Sequence, residues 1–153
     1  MTPNTGYIEQ FKRVERSYQR LIEINNGKLD DHDSDFLFDD FLNFFMNCYH
    51  LKDWIKNDST LSSSIKSSVE TFINSSKYLS ICGDIANGAK HLTLTSSRSN
   101  YKIKKGPTHY AVECGEITII SAKYTYFIDN NPMDAFVLAT ECLHEWKKFI
   151  KTI

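Results

Sequence analysis

Histidine, aspartate and asparagine residues recur at helical spacing in two segments of the chain. His50 and Asp53 are three positions apart, and Asp84, Asn87 and His91 follow one another at steps of three and four. In an α-helix, both spacings place the side chains on one face. A histidine beside a carboxylate is suited to general acid–base chemistry near neutral pH. We therefore take these five residues as candidate catalytic residues, on the expectation that the two helices pack against each other.

The same residues fit two other roles. A histidine near an aspartate between two helices commonly serves as a hydrogen-bonded packing contact, with the asparagines satisfying backbone groups or water. A metal site of the di-iron bundle type would instead need inward glutamates and a Glu-x-x-His step. The step here is His-x-x-Asp, and no second glutamate pair accompanies it. We predict no metal ion and no cofactor, and we favour packing over catalysis.

The cysteines stand singly along the chain. Cys48, Cys82, Cys114 and Cys142 include no Cys-x-x-Cys pair. This spacing favours neither a zinc site nor a disulfide framework. We expect reduced and mostly buried thiols, as in a cytoplasmic protein.

A basic and aromatic stretch, RSNYKIKKGPTHY, spans residues 98–110. Its cations are Arg98, Lys102, Lys104 and Lys105, and they are interleaved with tyrosines as in proteins that bind single-stranded nucleic acid. An exposed edge strand guarded by lysines has the same composition and is the commoner arrangement. The net charge of −1 indicates no general affinity for nucleic acids or membrane surfaces.

The helices that would position these side chains are predicted from the periodicity of the apolar residues. Apolar residues at steps of three and four predict four helices before the basic stretch, at 6–25, 35–57, 61–75 and 77–92. Gly83 and Gly88 interrupt the fourth helix, and each glycine is expected where another helix comes very close.

The period then changes from helical to alternating. Residues 100–128 alternate apolar and polar side chains and predict a small antiparallel hairpin or three-stranded meander, with KKGPTH and ECGE as turns. DNNPMD predicts the start of a last helix, with an asparagine cap and Pro132 at the first helical position. The fold class is therefore mainly α: a bundle of about five helices with a small antiparallel sheet before the last one, in a single domain over 1–153.

The end of the fourth helix, ANGAKH, resembles the motif of the HEPN superfamily (higher eukaryotes and prokaryotes nucleotide-binding domains). That motif is an arginine, a polar residue, three further residues and a histidine. Asn87 and His91 match it, whereas Ala86 occupies the arginine position and cannot stabilise charge on a phosphate. The resemblance covers roughly residues 35–92 and the last helix. It implies a compact helical bundle, and many HEPN members are dimeric, metal-independent ribonucleases, often in bacterial toxin–antitoxin or phage-defence systems.

Two functions follow as expectations. Because the arginine is missing, we expect a non-enzymatic HEPN-like protein that acts through dimerisation or binding of a partner protein. The alternative is a divergent ribonuclease or nucleotide-binding protein of the toxin or defence type that uses His91 and Asn87. A homodimer and RNA are accordingly candidate partners. A membrane is not, since no stretch reaches 18 apolar residues, and without a signal-peptide profile we expect a cytoplasmic protein.

Overall fold

A computed structural model describes residues 6–27, 34–90, 96–117 and 119–153, without the side chains at 34–36 and 120. These ranges contain five α-helices: α1 (Tyr7–Asn25), α2 (Ser34–Asn57), α3 (Ser63–Ser75), α4 (Lys77–Lys90) and α5 (Ala135–Ile150). The strands are β1 (Ile103–Glu113), β2 (Ile119–Ile128) and β3 (Asn131–Asp134). The mainly helical class, with a three-stranded antiparallel sheet before the last helix, is confirmed.

Helix α2 is the centre of the molecule and packs against the other four helices. Phe44, Phe45 and Leu51 on α2 are completely buried, because the helix is surrounded and its apolar side is broad. The indole Nε1 of Trp146 on α5 donates a hydrogen bond to the Cys48 carbonyl oxygen at 3.0 Å. This bond fixes the last helix to the central one.

The start of α1 is held by a distant side chain. Gly6 precedes the helix and offers no side-chain cap, and the backbone N–H of Tyr7 donates instead to Asp58 Oδ2 at 2.9 Å. A Cβ at position 6 would collide with that carboxylate. The residue after α2 therefore caps the first helix.

The sheet has the order β1-β2-β3 and packs on the helices through β2. The Tyr124 ring centroid lies 4.9 Å from that of Phe41, and the Tyr126 centroid lies 6.0 Å from that of Phe45. The prediction that KKGPTH forms a turn is wrong, since the segment lies within β1 and produces a register shift between Lys105 and Thr108. A bulge of this kind accommodates Pro107 without ending the strand.

The predicted start of the last helix is also wrong. Pro132 lies in β3 opposite Phe127, and α5 begins at Ala135. Asp134 is the N-cap, and its Oδ1 accepts from the backbone N–H groups of Phe136 (2.7 Å) and Val137 (3.2 Å). An aspartate that satisfies two free N–H groups is a strong helix start, and the pairing of Pro132 with β2 keeps the upstream residues extended.

The two glycines of α4 differ. A Cβ at Gly83 would lie 2.8 Å from Tyr49 Cε2 and 3.2 Å from Arg98 Cδ. Close approach at Gly83 is confirmed, although side chains rather than a helix backbone make it. At Gly88 the prediction is wrong, because the residue is exposed and nothing lies within 4 Å of a Cβ. None of the helices in the described ranges is both long and apolar enough to cross a membrane.

Candidate functional site

The four candidate catalytic residues within the described ranges occupy different surroundings. His50 is exposed on α2, and His91 lies outside the described residues. Asp53 is exposed, and its Oδ1 accepts from Lys52 Nζ at 2.8 Å. Asp53 also lines a hollow beside the start of α1, whereas Asp84 and Asn87 line two other cavities. The structure therefore places Asp53 apart from the α4 candidates.

Asp84 is buried and anchors the segment that precedes β1. Its Oδ1 accepts from the backbone N–H of Arg98 at 2.6 Å, and its Oδ2 accepts from Ser97 Oγ at 2.7 Å and Ser99 N at 3.0 Å. The Ser99 hydroxyl donates to the same oxygen. Burial alone would raise the pKa of Asp84, but these hydrogen bonds hold it below its ordinary value. Such contacts fit the packing role rather than proton transfer.

A polar cleft of about 560 Å³ brings Asn87 and Arg98 together. Arg98 Nη1 donates to Glu70 Oε2 at 2.8 Å and to Asn74 Oδ1 at 2.9 Å, and its guanidinium lies 5.4 Å from the centroid of the Tyr49 ring. Burial alone would raise the pKa of Glu70, but hydrogen bonds from Lys56 and Arg98 lower it to about 2. Arg98 is therefore paired within the cleft.

The predicted basic stretch is an edge of the sheet. Lys102 and Lys104 are exposed, and the backbone N–H of Lys102 donates to Asp129 Oδ1 at 2.8 Å. Lys105 differs from them, because its Nζ lies 3.7 Å from the centroid of the Phe38 ring on α2. The lysines thus follow an edge strand, as in the second interpretation of this stretch.

A second cavity of about 460 Å³ lies between α2, α4 and the sheet, and we call it the Tyr126 cavity. Its walls are mostly apolar and aromatic; they comprise Phe38, Leu42, Asp84, Ile85, Gly88, Ala89, Tyr101, Ile103, Lys105 and Tyr126. Tyr126 is 4% exposed. Its hydroxyl is buried and has no hydrogen-bond partner among the described residues. Burial raises the pKa of this phenol, which therefore stays protonated.

The unpartnered hydroxyl was not found by sequence reasoning. Tyr126 lies within the predicted alternation of apolar and polar residues over 100–128, and nothing in that pattern distinguishes it from its neighbours. A usable signal was present, since Tyr124 and Tyr126 share that face and a buried tyrosine usually needs a partner for its hydroxyl.

Three cysteines converge where α2, α4 and α5 meet. Cys48, Cys82 and Cys142 are completely buried, and their Sγ atoms all lie within 4.8 Å of one another. The thiols of Cys82 and Cys142 donate to the carbonyl oxygens of Phe45 and Tyr78, each at 3.4 Å. The expectation of mostly buried cysteines is confirmed, since three are buried and Cys114 is exposed. Their convergence was missed, although each of the three lies on the apolar face of its helix.

The three thiols differ in acidity. Burial raises the pKa of Cys82 and Cys142 well above the ordinary thiol value. At Cys48 burial acts in the same direction, but the contacts with Cys142, Cys82 and Trp146 outweigh it and lower the pKa of this thiol.

The far half of the β1–β2 hairpin exposes apolar side chains. Tyr110 is 50% exposed and Val112 is 56% exposed. Tyr110 lies opposite Ala122, which is buried toward the helices. Side chains of opposite and alternate residues share a face of the sheet. The face of the sheet that packs on the helices therefore continues past them, to the exposed side chains of Tyr110 and Val112.

Comparisons of the chain with models of known families, with curated proteins and with solved structures gave no match. The resemblance to the HEPN superfamily therefore remains a prediction from residues 86–91.

Proposed function

We propose that this chain is a non-enzymatic binding protein whose ligand is a small amphipathic acid held in the Tyr126 cavity. The observation that carries the proposal is the Tyr126 hydroxyl, which is buried without a hydrogen-bond partner in the described part of the chain. An unpaired buried group of this kind costs about 1–3 kcal/mol. The hydroxyl has almost no exposed area, so a ligand in the cavity would remove that cost by displacing a wall side chain to reach it.

The cavity walls indicate the class of ligand. A volume of about 460 Å³ is within the range of small-molecule sites, about 300–1,000 Å³. Phe38, Leu42 and Ile85 offer an apolar surface for a flat or hydrocarbon body. Lys105 lies at the same cavity and supplies a positive charge. An apolar body with one anionic group matches both features.

The polar groups of the cavity favour binding over catalysis. Asp84 is the carboxylate among the described wall residues, and hydrogen bonds from the 97–99 segment already occupy both of its oxygens. The Tyr126 phenol stays protonated, and so it can orient a ligand but cannot act as a base near neutral pH.

Anilinonaphthalene sulfonate, an aromatic anion that fluoresces in apolar sites, is a suitable probe for this proposal. We expect Lys105→Gln to weaken binding about threefold to tenfold, which corresponds to about 1 kcal/mol of lost charge attraction. Lys104→Gln is the matched control, since Lys104 is on the same strand but is not among the residues that line the cavity, and the affinity of this variant should stay unchanged. Equal affinities for the wild type and both variants, or no saturable binding, would count against the cavity as the site.

The exposed hairpin favours a homodimer, and we propose that a second copy pairs with β1. This strand is an edge of the sheet. A symmetric antiparallel pairing about Ala111 would place Tyr110 opposite Val112 of the second copy and His109 opposite Glu113. Aromatic–aliphatic pairs and pairs of a basic with an acidic residue both stabilise antiparallel strands. The far half of β1 is therefore complementary to itself, as a two-fold interface requires.

Light scattering coupled to gel filtration tests the homodimer. Val112→Lys should shift the chain to a monomer, because it places two like charges in the paired strands. Val137→Lys is the matched control, since Val137 is 50% exposed on α5, and it should leave the dimer intact. A monomeric wild type at high concentration, or a dimer that survives Val112→Lys, rejects this interface.

Ribonuclease activity is the second candidate function, favoured by the position of Arg98. This side chain lines the same polar cleft as Asn87. It would supply the positive charge that an arginine provides in the HEPN motif, where this chain has Ala86. The test is incubation of the pure protein with a mixed RNA pool. Cleavage that disappears in His91→Ala and falls in Arg98→Lys supports an enzyme, and no cleavage by the wild type, with and without added metal ions, rejects it.

A further inference from the structure

The cysteine cluster defined by Cys48, Cys82 and Cys142 has the dimensions of a metal site. Metal–sulfur bonds of about 2.3 Å place the sulfur atoms of a trigonal site about 4 Å apart. The Sγ atoms here all lie within 4.8 Å of one another. The three sulfur atoms are therefore close enough to share a single ion with small shifts of their side chains.

The position of each ligand is set by a different helix. Cys48 is on α2, Cys82 on α4 and Cys142 on α5, and the three helices pack against one another. The indole of Trp146 holds the backbone carbonyl of Cys48, and the carbonyl oxygens of Phe45 and Tyr78 accept from the other two thiols. The two thiol hydrogen bonds hold the side chains in place while the thiols carry their protons, and they are lost when an ion replaces those protons. The cluster is thus organised before any ion binds.

We propose that this cluster is a buried three-sulfur site for a soft monovalent metal ion, Cu⁺. Soft sulfur ligands select Cu⁺ over hard ions. Structural zinc almost always takes four ligands, and the cluster contains three among the described His, Cys, Asp and Glu residues. The three cysteines are completely buried, which excludes the water that would complete the shell of a divalent ion. On binding, each Cu–S bond replaces an S–H bond and its proton passes to solvent, so that no electron is transferred.

This site uses none of the residues that line the Tyr126 cavity and none of β1, although Cys82 is a near neighbour of Tyr126. It would bind its ion whether or not an amphipathic acid binds elsewhere, so that failure of one proposal leaves the other standing.

The test is anaerobic titration of the reduced full chain with Cu⁺ against a chromogenic Cu⁺ chelator, followed by desalting and elemental analysis. We expect a single retained ion per chain. Cys82→Ser should weaken the affinity for Cu⁺ at least about 100-fold, because it removes a ligand. Mutation of a residue that only contacts a ligand already lowers metal affinity about 10- to 100-fold. Cys114→Ser is the matched control and should retain the ion, since Cys114 is exposed and outside the cluster.

Further measurements keep the test decisive if Cys82→Ser folds poorly. Cys48→Ala and Cys142→Ala should each lose the ion, with folding checked by circular dichroism. X-ray absorption of the wild-type complex should show three sulfur ligands. The assignment would be overturned if all three cluster variants retained the ion, or if Cys114→Ser lost it. It would also be overturned if Zn²⁺ bound more tightly than Cu⁺, or if an internal disulfide formed in place of the copper complex.

Discussion

Asp84 and Tyr126 are buried polar residues on the wall of the same cavity, and they differ in how their hydrogen bonds are satisfied. The Asp84 carboxylate accepts hydrogen bonds from Ser97, Arg98 and Ser99. The Tyr126 hydroxyl has no partner among the described residues. Removing a satisfied group and removing an unsatisfied group should therefore have opposite effects on stability.

Asp84→Asn should destabilise the fold by about 2 kcal/mol, because a neutral amide replaces a carboxylate that accepts several hydrogen bonds in a buried place. Urea denaturation measures this free energy of unfolding. Asp53→Asn is the control, since Asp53 is exposed and surface changes usually stay within about 0.5 kcal/mol. Equal effects of the two variants would remove the anchoring role of Asp84.

Tyr126→Phe should stabilise the ligand-free chain by about 1 kcal/mol, since it deletes a buried hydroxyl that makes no hydrogen bond. Tyr18→Phe provides the contrast. The Tyr18 hydroxyl lies 2.8 Å from Thr140 Oγ1, so that its loss should destabilise the chain by about 1 kcal/mol. Thermal unfolding of both variants measures the difference, and a destabilised Tyr126→Phe would mean that the hydroxyl is satisfied in solution.

At the scale of the elements, α4 shows how surroundings decide the effect of a glycine. Gly88→Ala should stabilise the chain by up to about 1 kcal/mol, the gain in helix propensity, because nothing lies near its Cβ. Gly83→Ala gains the same propensity but forces Tyr49 and Arg98 to move, and overpacking of this kind costs about 1–3 kcal/mol. Chemical denaturation should show that the two substitutions change the free energy of unfolding in opposite directions. Equal stabilisation by both would show that Tyr49 and Arg98 move aside at little energetic cost.

Helices α1, α2 and α3 were predicted to within two residues, because long apolar periodicity is a local property of the sequence. The errors arose where a local signal competed with tertiary structure. Gly106 and Pro107 indicated a turn, but pairing with β2 on both sides of them maintains β1 as a bulged strand. Pro132 indicated a helix start, but Asp134 caps α5 instead.

The candidate sites were less predictable, because they depend on which helix faces meet. Sequence periodicity placed Asp53 and Asp84 on helices that do pack together, yet the two carboxylates line different cavities. The cysteines showed the reverse case. Cys48 and Cys142 are 94 positions apart in the chain and touch through tertiary packing, which no spacing rule represents.

For the molecule as a whole, acid should unfold the chain through carboxylates that are paired in the fold. The pKa values of Asp58, Glu70 and Asp84 all lie below their ordinary values. A lowered pKa in the fold contributes stability that is present above the unfolded value and is lost as the pH falls through the folded value. For Glu70 this interval runs from 4.5 down to about 2.

Glu70→Gln should therefore lower stability near neutral pH and flatten its decline over that interval, as followed by circular dichroism of urea unfolding at several pH values. Glu15→Gln is the control, because Glu15 is exposed on α1, and it should follow the wild-type curve. Parallel curves for wild type and Glu70→Gln would show that the ion pairs of Glu70 with Lys56 and Arg98 contribute little.

The cap that Asp58 places on α1 has a consequence for synthesis of the chain. The first turn of α1 is completed by a carboxylate 51 positions later in the sequence. The ribosome makes Tyr7 first, and its N–H must stay bonded to water until residue 58 has left the exit tunnel and α2 has formed. Helix α1 is thus synthesised before the residue that caps it, and it is completed late, once Asp58 has reached it.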